Sequence, residues 1–432
     1  MAPNTIRVDE KKHLGVNQIY KTVPLKTSNG SDRKLAFNGG EPVISSQMRA
    51  KVPQWPIANE RTAEALKFLY MSGKWSFNGI YEQQFASGFA KHHSCEYGIM
   101  MANGTVTLEC ALKALGVGPG DEVIVPALTW VATAMAAVYV GATPVFVDIE
   151  PDTLCLDPVN LSKAITKRTA AIIPVHLYGS MADMEAIMDI ANCHGIPVIE
   201  DCAHAHGGFW DGKGLGSIGT VGSSSFQQSK NMASGEGGIC VTNNKDMAEK
   251  LFRLKHIGYD MDSSQGKAAS GPPAELLCCN YRATEFQALI LLNALSDLRA
   301  QTELRDSNAK YLGRLLEDVE GVQLQSKGRK ATLQSYYNLV FLVDPARFNC
   351  ESALNLMDTL RAEGLAVDQT YGPVYSHMLW NVSPSKYRIA GGECPVCEKV
   401  CAKNALTLFH PWLLTDHEIM NAIAQTFRKL VN

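Results

Sequence analysis

The sequence predicts an α/β protein whose large domain holds a mostly parallel sheet and is followed by a smaller α/β domain. The chain has 432 residues, too many for a single small core, so two domains are expected. Between Tyr97 and Thr242, short apolar runs typical of buried strands alternate with segments of helical periodicity. Strands and helices that alternate in this way form parallel sheets covered by helices on both faces.

Composition and charge indicate a soluble globular protein. Hydrophobic residues make up 46% of the chain and charged residues 19%. A net charge of −3 gives no electrostatic reason to bind nucleic acid or an anionic membrane. The uncharged stretch 123–147 is interrupted by Pro126, Gly141 and Pro144, so it predicts a strand, a helix and a second strand rather than a membrane span. The 12 scattered cysteines, without a secretory signal, predict reduced thiols and a cytoplasmic location.

The chain is predicted to have three regions. Residues 1–33 are polar, with mixed charge and no sustained periodicity, and form an N-terminal extension. Residues 34–283 form the large domain, and residues 284–432 form a linker helix and the small C-terminal domain. The linker helix is expected to begin near Thr284, a residue type that caps helices. The small domain is predicted to contain strands near 322–324 and 337–343 and helices near 351–363, 398–404 and 416–430.

The large domain begins with a helix, because Ala63, Leu66, Leu69 and Tyr70 follow helical spacing. The loop 73–79, bounded by glycines and rich in aromatic residues, is either a packed turn or a lip of the active site. The next predicted elements are a strand at 97–102, a helix at 107–115, a strand at 122–126, a helix at 131–140, strands at 144–148 and 170–175, a helix at 181–194, a strand that ends at Asp201, and strands at 223–226 and 238–242.

A turn between a strand and a helix predicts an anion site. The turn contains Gly104, Thr105 and Val106, and the helical run follows directly. Free backbone N–H groups and the positive end of a helix dipole would point at one spot there. Many such turns bind nothing, so the turn alone does not assign a ligand.

Lys230 and Asp201 together indicate pyridoxal phosphate (PLP) chemistry. Lys230 lies among small and polar residues before a Gly-Glu-Gly-Gly turn, and Asp201 ends an apolar run that predicts a buried strand. A lysine can hold PLP as a Schiff base, and a buried acid can keep the pyridine nitrogen protonated so that the ring accepts electrons. Either residue alone is more simply a surface lysine or an ordinary residue at a strand end. Thr105, Trp130, Asp201 and Ser225 all lie at the ends of predicted strands or in the turns after them, where ligands bind in parallel sheets.

Several motifs in a fixed order resemble one family. They are Asn103-Gly-Thr105, Trp130-Val-Ala-Thr133, Gly141-Ala-Thr-Pro-Val-Phe-Val-Asp148, Glu200-Asp-Cys-Ala-His-Ala-His-Gly207, Ser225-Phe-Gln-Gln-Ser-Lys230 and Asn280-Tyr-Arg282. Together they resemble the DegT/DnrJ/EryC1/StrS family of PLP-dependent aminotransferases, from about Leu35 to the C-terminus. The resemblance implies the fold-type I, aspartate-aminotransferase-like architecture and amine transfer.

The resemblance also implies roles for individual residues. Lys230 would hold PLP and move the substrate proton, and Asp201 would pair with the pyridine nitrogen. Trp130 would stack on the ring, and His204, where many relatives have Gln, would contact the ring hydroxyl. The remaining implied contacts to PLP are to its phosphate, from Gly104, Thr105, the Val106 backbone, Ser225 and, across a homodimer, Asn280 of the neighbouring subunit. No metal is implied.

The motifs around residues 200–207 and 226–230 are more similar to the cyclitol aminotransferases of aminoglycoside antibiotic pathways, and to 3-amino-5-hydroxybenzoate synthases, than to nucleotide-sugar enzymes. This resemblance implies L-glutamine as the amino donor and a cyclic ketone such as scyllo-inosose as the acceptor. The alternatives are a nucleotide-keto-sugar aminotransferase that uses glutamate, an enzyme like 3-amino-5-hydroxybenzoate synthase, and a PLP-binding sensor without turnover. A metal or redox site at Cys394, Cys397 and Cys401 is less favoured, because no fourth ligand has suitable spacing.

Overall fold

The structure, a computed structural model, describes residues 34–273 and 275–431. The predicted N-terminal extension, residues 1–33, lies outside the described residues. Within the described ranges, no helix combines the length and the apolar character that crossing a membrane requires.

The strands are β1 (Tyr97–Met101), β2 (Glu122–Pro126), β3 (Thr143–Val147), β4 (Thr169–Ile172), β5 (Ile199–Asp201), β6 (Phe209–Trp210), β7 (Lys213–Gly214), β8 (Val221–Ser225), β9 (Gly238–Thr242), β10 (Val322–Leu324), β11 (Ala331–Leu333), β12 (Asn338–Val343), β13 (Val367–Gln369), β14 (Arg388–Ile389) and β15 (Ala405–Phe409). The α-helices are α1 (Ser46–Arg49), α2 (Glu60–Ser72), α3 (Ile80–His92), α4 (Gly104–Ala114), α5 (Val131–Tyr139), α6 (Pro158–Ala164), α7 (Met184–His194), α8 (Lys245–Lys255), α9 (Glu285–Leu316), α10 (Ala353–Ala362), α11 (Pro395–Lys399) and α12 (His417–Val431).

The large domain is built on two four-stranded sheets that meet edge to edge. Their strand orders are β1-β9-β8-β5 and β14-β3-β2-β4. Bridges between Ile172 and Val198 and between Val175 and Asp201 join them side by side. β9 is antiparallel to both of its neighbours, whereas the other pairings in the two sheets are parallel. The prediction of a large, mostly parallel sheet is therefore confirmed.

Helices cover this sheet because its strands are apolar on both faces. All five residues of β2 are buried, and so are all five of β9. α4 follows β1 directly, and its N-cap residue Asn103 accepts the Val106 N–H through its side chain at 3.0 Å. α5 follows β2 in the same way, so the amino ends of both helices lie at the carboxyl edge of the sheet.

The small domain contains an antiparallel sheet, β10-β12-β15-β13, packed against α10 and α12. β10, β12, α10 and α12 were expected within a few residues of their observed bounds, but β13 and β15 were not. β13 has only three residues and one apolar side chain, and its pairing with β15 defines it. The helix expected at 398–404 instead begins at Pro395, and residues Val400–Asn404 form a π-helical turn.

α9 connects the two parts of the molecule. Thr284 and Gln287 form a capping box at its start, as the sequence predicts for a helix that begins there. The first half of α9 buries Ala288, Leu291 and Leu298 against α3, and its second half buries side chains in the small-domain core. α3 itself was not predicted. A domain division at residues 283 and 284 stays a prediction.

The segment before α1 is held to the small domain by one buried carboxylate. Glu363 is fully buried and accepts hydrogen bonds from the Ala36 N–H at 2.8 Å and the Val43 N–H at 3.0 Å. The ammonium of Lys429 also donates to it at 2.9 Å. Because this carboxylate is the shared acceptor, its removal leaves the Ala36 and Val43 N–H groups unpaired in a partly buried place, whereas Lys429 keeps a hydrogen bond to the Glu41 carbonyl at 2.9 Å.

We expect Glu363→Ala to lower the free energy of unfolding by about 3 kcal/mol, the usual cost of breaking a buried ion pair. Urea titration followed by circular dichroism measures this change, and limited proteolysis should show faster cleavage within residues 34–44. The control is Glu320→Ala, which removes an exposed pair with Arg347 at 2.7 Å and should change stability by less than about 1 kcal/mol. Equal, small effects of both substitutions would show that Glu363 does not hold this segment.

Candidate active site

A cavity of about 720 Å³ opens at the carboxyl ends of the large-domain strands. It collects predicted site residues from distant parts of the sequence: Gly104, Thr105, Val106, Trp130, Asp201, His204, Ser225 and Lys230. A cavity of about 800 Å³ elsewhere, lined in part by Lys399 and Asn404, includes none of them. The location agrees with the rule that parallel sheets bind ligands beyond their strand ends.

Lys230 is buried in the loop between β8 and β9. Its Nζ lies 4.4 Å from the ring centre of Tyr337, and its backbone N–H donates to the Gln227 carbonyl at 2.8 Å. Burial lowers the pKa of Lys230 to about 8, although the charge of Asp201 opposes this shift. Burial therefore raises the neutral fraction of Lys230 above that of an exposed lysine, and a neutral amine is the form that acts as a nucleophile or a base.

Asp201 is buried at the end of β5 and is held on both oxygens. The Thr133 hydroxyl donates to Oδ2 at 2.8 Å, and the Ala203 N–H donates to Oδ1 at 3.1 Å. Burial raises the pKa of Asp201, while these two hydrogen bonds and the charge of Lys230 act in the opposite direction. A cationic ring N–H placed against this carboxylate would stabilise its negative charge, because opposite charges stabilise each other strongly in a buried site.

The amino end of α4 forms a cradle for an anion. A Cβ added to Gly104 would lie 2.5 Å from the Ser225 Cβ, so only glycine lets β8 approach the helix end this closely. The Thr105 and Ser225 side chains line the cavity at this point. The first amides of a helix have no partner within it, which suits a phosphate. The Val106 N–H, however, donates to Asn103 in this structure.

His204 is neutral and presents one N–H toward the cavity. Its Nδ1 accepts the Tyr178 N–H at 3.3 Å, so the proton is on Nε2. Burial and the charge of Lys230 hold the pKa of His204 well below its ordinary value. Its ring stacks on Tyr337 with the centroids 4.0 Å apart. His204 is thus a donor suited to a ring oxygen, as a glutamine amide would be.

An aromatic wall faces this arrangement. Trp130 precedes α5, and 41% of its surface is exposed although it lines the cavity. Its ring centre lies 5.4 Å from that of Tyr371. Tyr337 and Tyr371 also line the cavity, and neither was predicted as a site residue. Isolated tyrosines without a motif give no sequence signal, and Thr133 was noted in a motif without its role toward Asp201.

Asn280 and the loop 73–79 do not reach this cavity within one chain. Asn280 is exposed and pairs with His256 in an isolated β-bridge. The backbone of the loop contacts the start of α9 instead, where the Glu285 N–H donates to the Trp75 carbonyl at 2.9 Å.

Among the residues that the structure describes, one group of side chains could together contact a metal ion. It consists of His176, Glu200 and Cys202, whose potential ligand atoms all lie within 4.8 Å of one another. Glu200 already accepts the N–H groups of Gly216 at 3.0 Å, Ile218 at 2.7 Å and Gly219 at 2.6 Å. The described ranges bring Cys394, Cys397 and Cys401 into no such group.

These residues fit PLP. A helix amino end without a Cβ at Gly104 suits its phosphate, the carboxylate of Asp201 suits its pyridine nitrogen, and the neutral His204 suits its ring hydroxyl. Lys230 provides a buried amine in the same cavity. The cavity can therefore hold a planar, anionic aldehyde against a lysine of lowered pKa.

Comparison with known proteins agrees with this geometry. The model of the DegT/DnrJ/EryC1/StrS aminotransferase family matches residues 56–426. The chain is 36% identical to L-glutamine:2-deoxy-scyllo-inosose aminotransferase of Streptomyces paromomycinus over 421 residues, which are 92% of this chain and 98% of that protein. It is 35% identical to L-glutamine:scyllo-inosose aminotransferase of Streptomyces griseus, over 93% of this chain and 98% of that protein. The crystal structure of 3-amino-5-hydroxybenzoic acid synthase superposes with a TM-score of 0.78 at 31% identity, over 88% of this chain and 98% of that one.

We expect Lys230 in the cofactor-free protein to acylate with a midpoint near pH 8, because burial disfavours its ammonium form. Competitive acetylation followed by mass spectrometry gives such midpoints for single lysines. Reactivity should rise with pH, since the amine reacts only after it loses its proton. Lys51 is the control, because its pKa is raised above 10.5, chiefly by the hydrogen bond to Glu418. A midpoint for Lys230 equal to that of Lys51 would contradict the effect of burial.

Proposed function

The chain belongs to the DegT/DnrJ/EryC1/StrS aminotransferase family and is a PLP-dependent aminotransferase, and from this premise we propose that it moves an amino group from L-glutamine to a cyclic ketone related to scyllo-inosose. The observation that supports these substrates is the similarity, at 35–36% identity over at least 89% of the chain, to proteins named for glutamine and an inosose. The proposal places the reaction in aminocyclitol biosynthesis of the kind that supplies antibiotics. A cytoplasmic location is part of the proposal.

In this proposal the side chains of the cavity divide the work between binding and proton transfer. PLP, when bound, supplies the electron sink for breaking the bond between the substrate carbon and its hydrogen. Nζ of Lys230 would take this proton from the substrate carbon and deliver it to the cofactor, and would carry a proton in the opposite direction in the acceptor half of the cycle, for which a pKa near 8 is well matched. Asp201 keeps the ring nitrogen protonated, and Thr133 fixes the orientation of the carboxylate at 2.8 Å. Gly104, Thr105 and Ser225 hold the phosphate, Trp130 stacks on the ring, and His204 binds its hydroxyl.

The charge of the cavity favours an uncharged acceptor over a nucleotide sugar. In the part of the chain that the structure describes, Lys230 is the one lysine or arginine that lines the cavity. Glu236 lines it as well and would repel a diphosphate, whereas Glu109 is paired with Lys113 at 2.6 Å. A polyol ring needs hydrogen-bonding groups and flat apolar surfaces, which Gln227, Tyr371 and the exposed ring of Trp130 provide.

We also propose that two copies of the chain form a homodimer with shared active sites. Asn280 is exposed and lies outside the cavity of its own chain, so its proposed contact with a phosphate requires a neighbouring subunit. Leu277, three residues before Asn280, is 77% exposed, and on α2 Phe68 is 72% exposed and Met71 77%. Large exposed apolar side chains in such numbers are typical of proteins that form an interface.

Addition of L-glutamine to the pure yellow protein should bleach its visible absorption band, and subsequent scyllo-inosose should restore it. Lys230→Ala should lack the band of lysine-attached PLP, because the variant has no amine at this place. Asp201→Asn should form the band yet bleach at least 100-fold more slowly, because a neutral amide does not hold the ring nitrogen protonated (about 10² for a group of this kind).

Other outcomes separate the alternatives. A response to L-glutamate but not to L-glutamine would favour the nucleotide-keto-sugar branch, and a band that no amino donor bleaches would favour a sensor. A protein that PLP does not colour would contradict the proposal altogether. If L-glutamine bleaches the band but scyllo-inosose does not restore it, the result would favour an acceptor like that of 3-amino-5-hydroxybenzoate synthase.

The shared site is tested by mixing two inactive variants. Asn280→Ala chains and Lys230→Ala chains should each be nearly inactive alone. In a mixed dimer, one site combines Lys230 of the first chain with Asn280 of the second, so co-refolding at equal amounts should restore about a quarter of the wild-type activity. Size-exclusion chromatography with light scattering confirms the dimer. If Asn280 acted on its own chain, every site of the mixture would stay impaired and no activity would return.

A further inference from the structure

Two neighbouring backbone carbonyls, those of Ser229 and Lys230, are hydrogen-bonded to side chains that lie outside the loop containing the lysine. The Trp55 indole N–H donates to the Lys230 carbonyl at 3.0 Å. The His410 ring lies with Nε2 at 3.2 Å from the Ser229 carbonyl. Two consecutive carbonyls are thus bound by aromatic rings that come from the segment before α2 and from the turn after β15. The Ser229 side chain also bonds to the Tyr337 hydroxyl at 2.8 Å.

A single guanidinium contacts both of these rings. Arg305, on α9, has Nη2 at 3.2 Å from Nδ1 of His410, and its guanidinium carbon lies 5.5 Å from the Trp55 ring centre. Trp55 and His410 also pack edge to face with their centroids 4.5 Å apart. Arg305 therefore lies behind the Lys230 loop with a hydrogen bond to His410, a cation–π contact to Trp55 and a longer hydrogen bond, at 3.4 Å, to Gln301 on its own helix.

The contact with Arg305 determines which nitrogen of His410 carries the proton. A guanidinium only donates, so Nδ1 accepts, and the proton is on Nε2, from which it donates to the Ser229 carbonyl. Burial and the charge of Arg305 hold the pKa of His410 well below its ordinary value, so the ring stays neutral. Without Arg305, His410 could carry its proton on either ring nitrogen. The tautomer with the proton on Nδ1 would leave the Ser229 carbonyl without a hydrogen-bond donor.

Arg305 occupies an unfavourable place for a charged group. Its side chain is fully buried, and no carboxylate of the described residues lies within 4.0 Å of it. Nε and Nη1 have no hydrogen-bond partner among the described residues, and burial lowers its pKa to about 9. A buried charge without a counterion costs stability. Stability is therefore a poor reason for an arginine here.

We propose that Arg305 is a positioning residue for Lys230, which acts by fixing His410 and Trp55 on the two carbonyls that flank the lysine. The lysine side chain is long and flexible, so its nitrogen reaches the carbonyl of a bound aldehyde reliably only if the backbone below it is fixed. Displacement by about 1 Å is enough to slow such a reaction by up to about 100-fold. This inference rests on the proposal that Lys230 holds PLP, but not on the identity of the amino donor or acceptor.

The experiment measures how fast PLP attaches to Lys230, without any amino donor. Cofactor-free protein is mixed with PLP, and the visible band is followed by stopped-flow absorbance; borohydride reduction and mass spectrometry confirm that Lys230 is modified. We expect Arg305→Met to lower the attachment rate about tenfold or more. The matched control is Asn308→Ala, one turn further along α9. Asn308 is also buried and donates to the Leu413 and Thr415 carbonyls of the same turn at 3.0 and 2.8 Å, but it has no hydrogen bond to His410.

A second pair of variants at His410 keeps the proposal testable if Arg305→Met does not fold. His410→Gln retains an N–H donor for the Ser229 carbonyl and an oxygen for Arg305, whereas His410→Leu retains neither. We expect the Gln variant to attach PLP within about threefold of the wild-type rate and the Leu variant to be at least about tenfold slower.

Three results would overturn the proposal. They are an unchanged rate in Arg305→Met, an equal loss of rate in Asn308→Ala and Arg305→Met, and equal rates in the two His410 variants. An equal loss in the Asn308 and Arg305 variants would mean that the residues only stabilise the turn. If wild-type protein attaches no PLP, the proposed cofactor fails instead, which is a distinct outcome.

Discussion

Burial of an amine and a carboxylate in the same cavity is the interaction on which the rest of this structure depends. The pKa of Lys230 falls to about 8 because its ammonium is removed from water, and the pKa of Asp201 is raised for the same reason. Each of the two groups reduces the shift of the other by its charge. Lys230 is thus closer to a change of protonation at neutral pH than an exposed lysine, which suits the proton transfer proposed for it.

The sheet topology explains how distant residues reach one place. β5 and β8 are parallel neighbours, so Asp201 and Ser225 end at the same edge, and α4 begins beside them. β9 returns antiparallel to β8, and the loop between the two strands contains Lys230. Gly104 allows this packing, because any side chain there would meet Ser225. Two aromatic residues from beyond α9, Tyr337 and Tyr371, also line the cavity.

The connection between the two parts of the molecule also has chemical consequences. α9 provides Arg305 and Asn308, one turn apart, and both contact the turn after β15. Asn308 binds backbone carbonyls and needs no charge for this. Arg305 instead contacts two rings that bind the Lys230 loop, so α9 links the turn after β15 to the backbone beside the lysine. A long helix suits this purpose because its side chains keep fixed relative positions.

Hydrophobic periodicity and the order of the motifs were enough to predict a good part of the fold and of the candidate site. Alternation of apolar runs and helical segments was enough for the mostly parallel sheet, since its central strands are buried on both faces and are largely apolar. Lys230 and Asp201 could be paired from the sequence, because the chemistry of one demands the other; the roles assigned to them and to the phosphate-binding residues stay predictions. α3, α6, α8 and β15 were not predicted, although β15 is a mostly apolar run of five residues. β13 was not predicted because it has a single apolar side chain and is defined by its pairing with β15.

Tertiary structure alone decided the rest. Thr133, Tyr337 and Tyr371 lie in the cavity, but no local signal distinguishes them from core residues. Arg305 and His410 are 105 positions apart, and each looks ordinary in its own helix or turn. Their joint arrangement at the Ser229 carbonyl exists only because α9 and the turn after β15 pack behind the same loop. Sequence patterns report what a segment does by itself, whereas hydrogen bonds between distant segments depend on how the whole chain is folded.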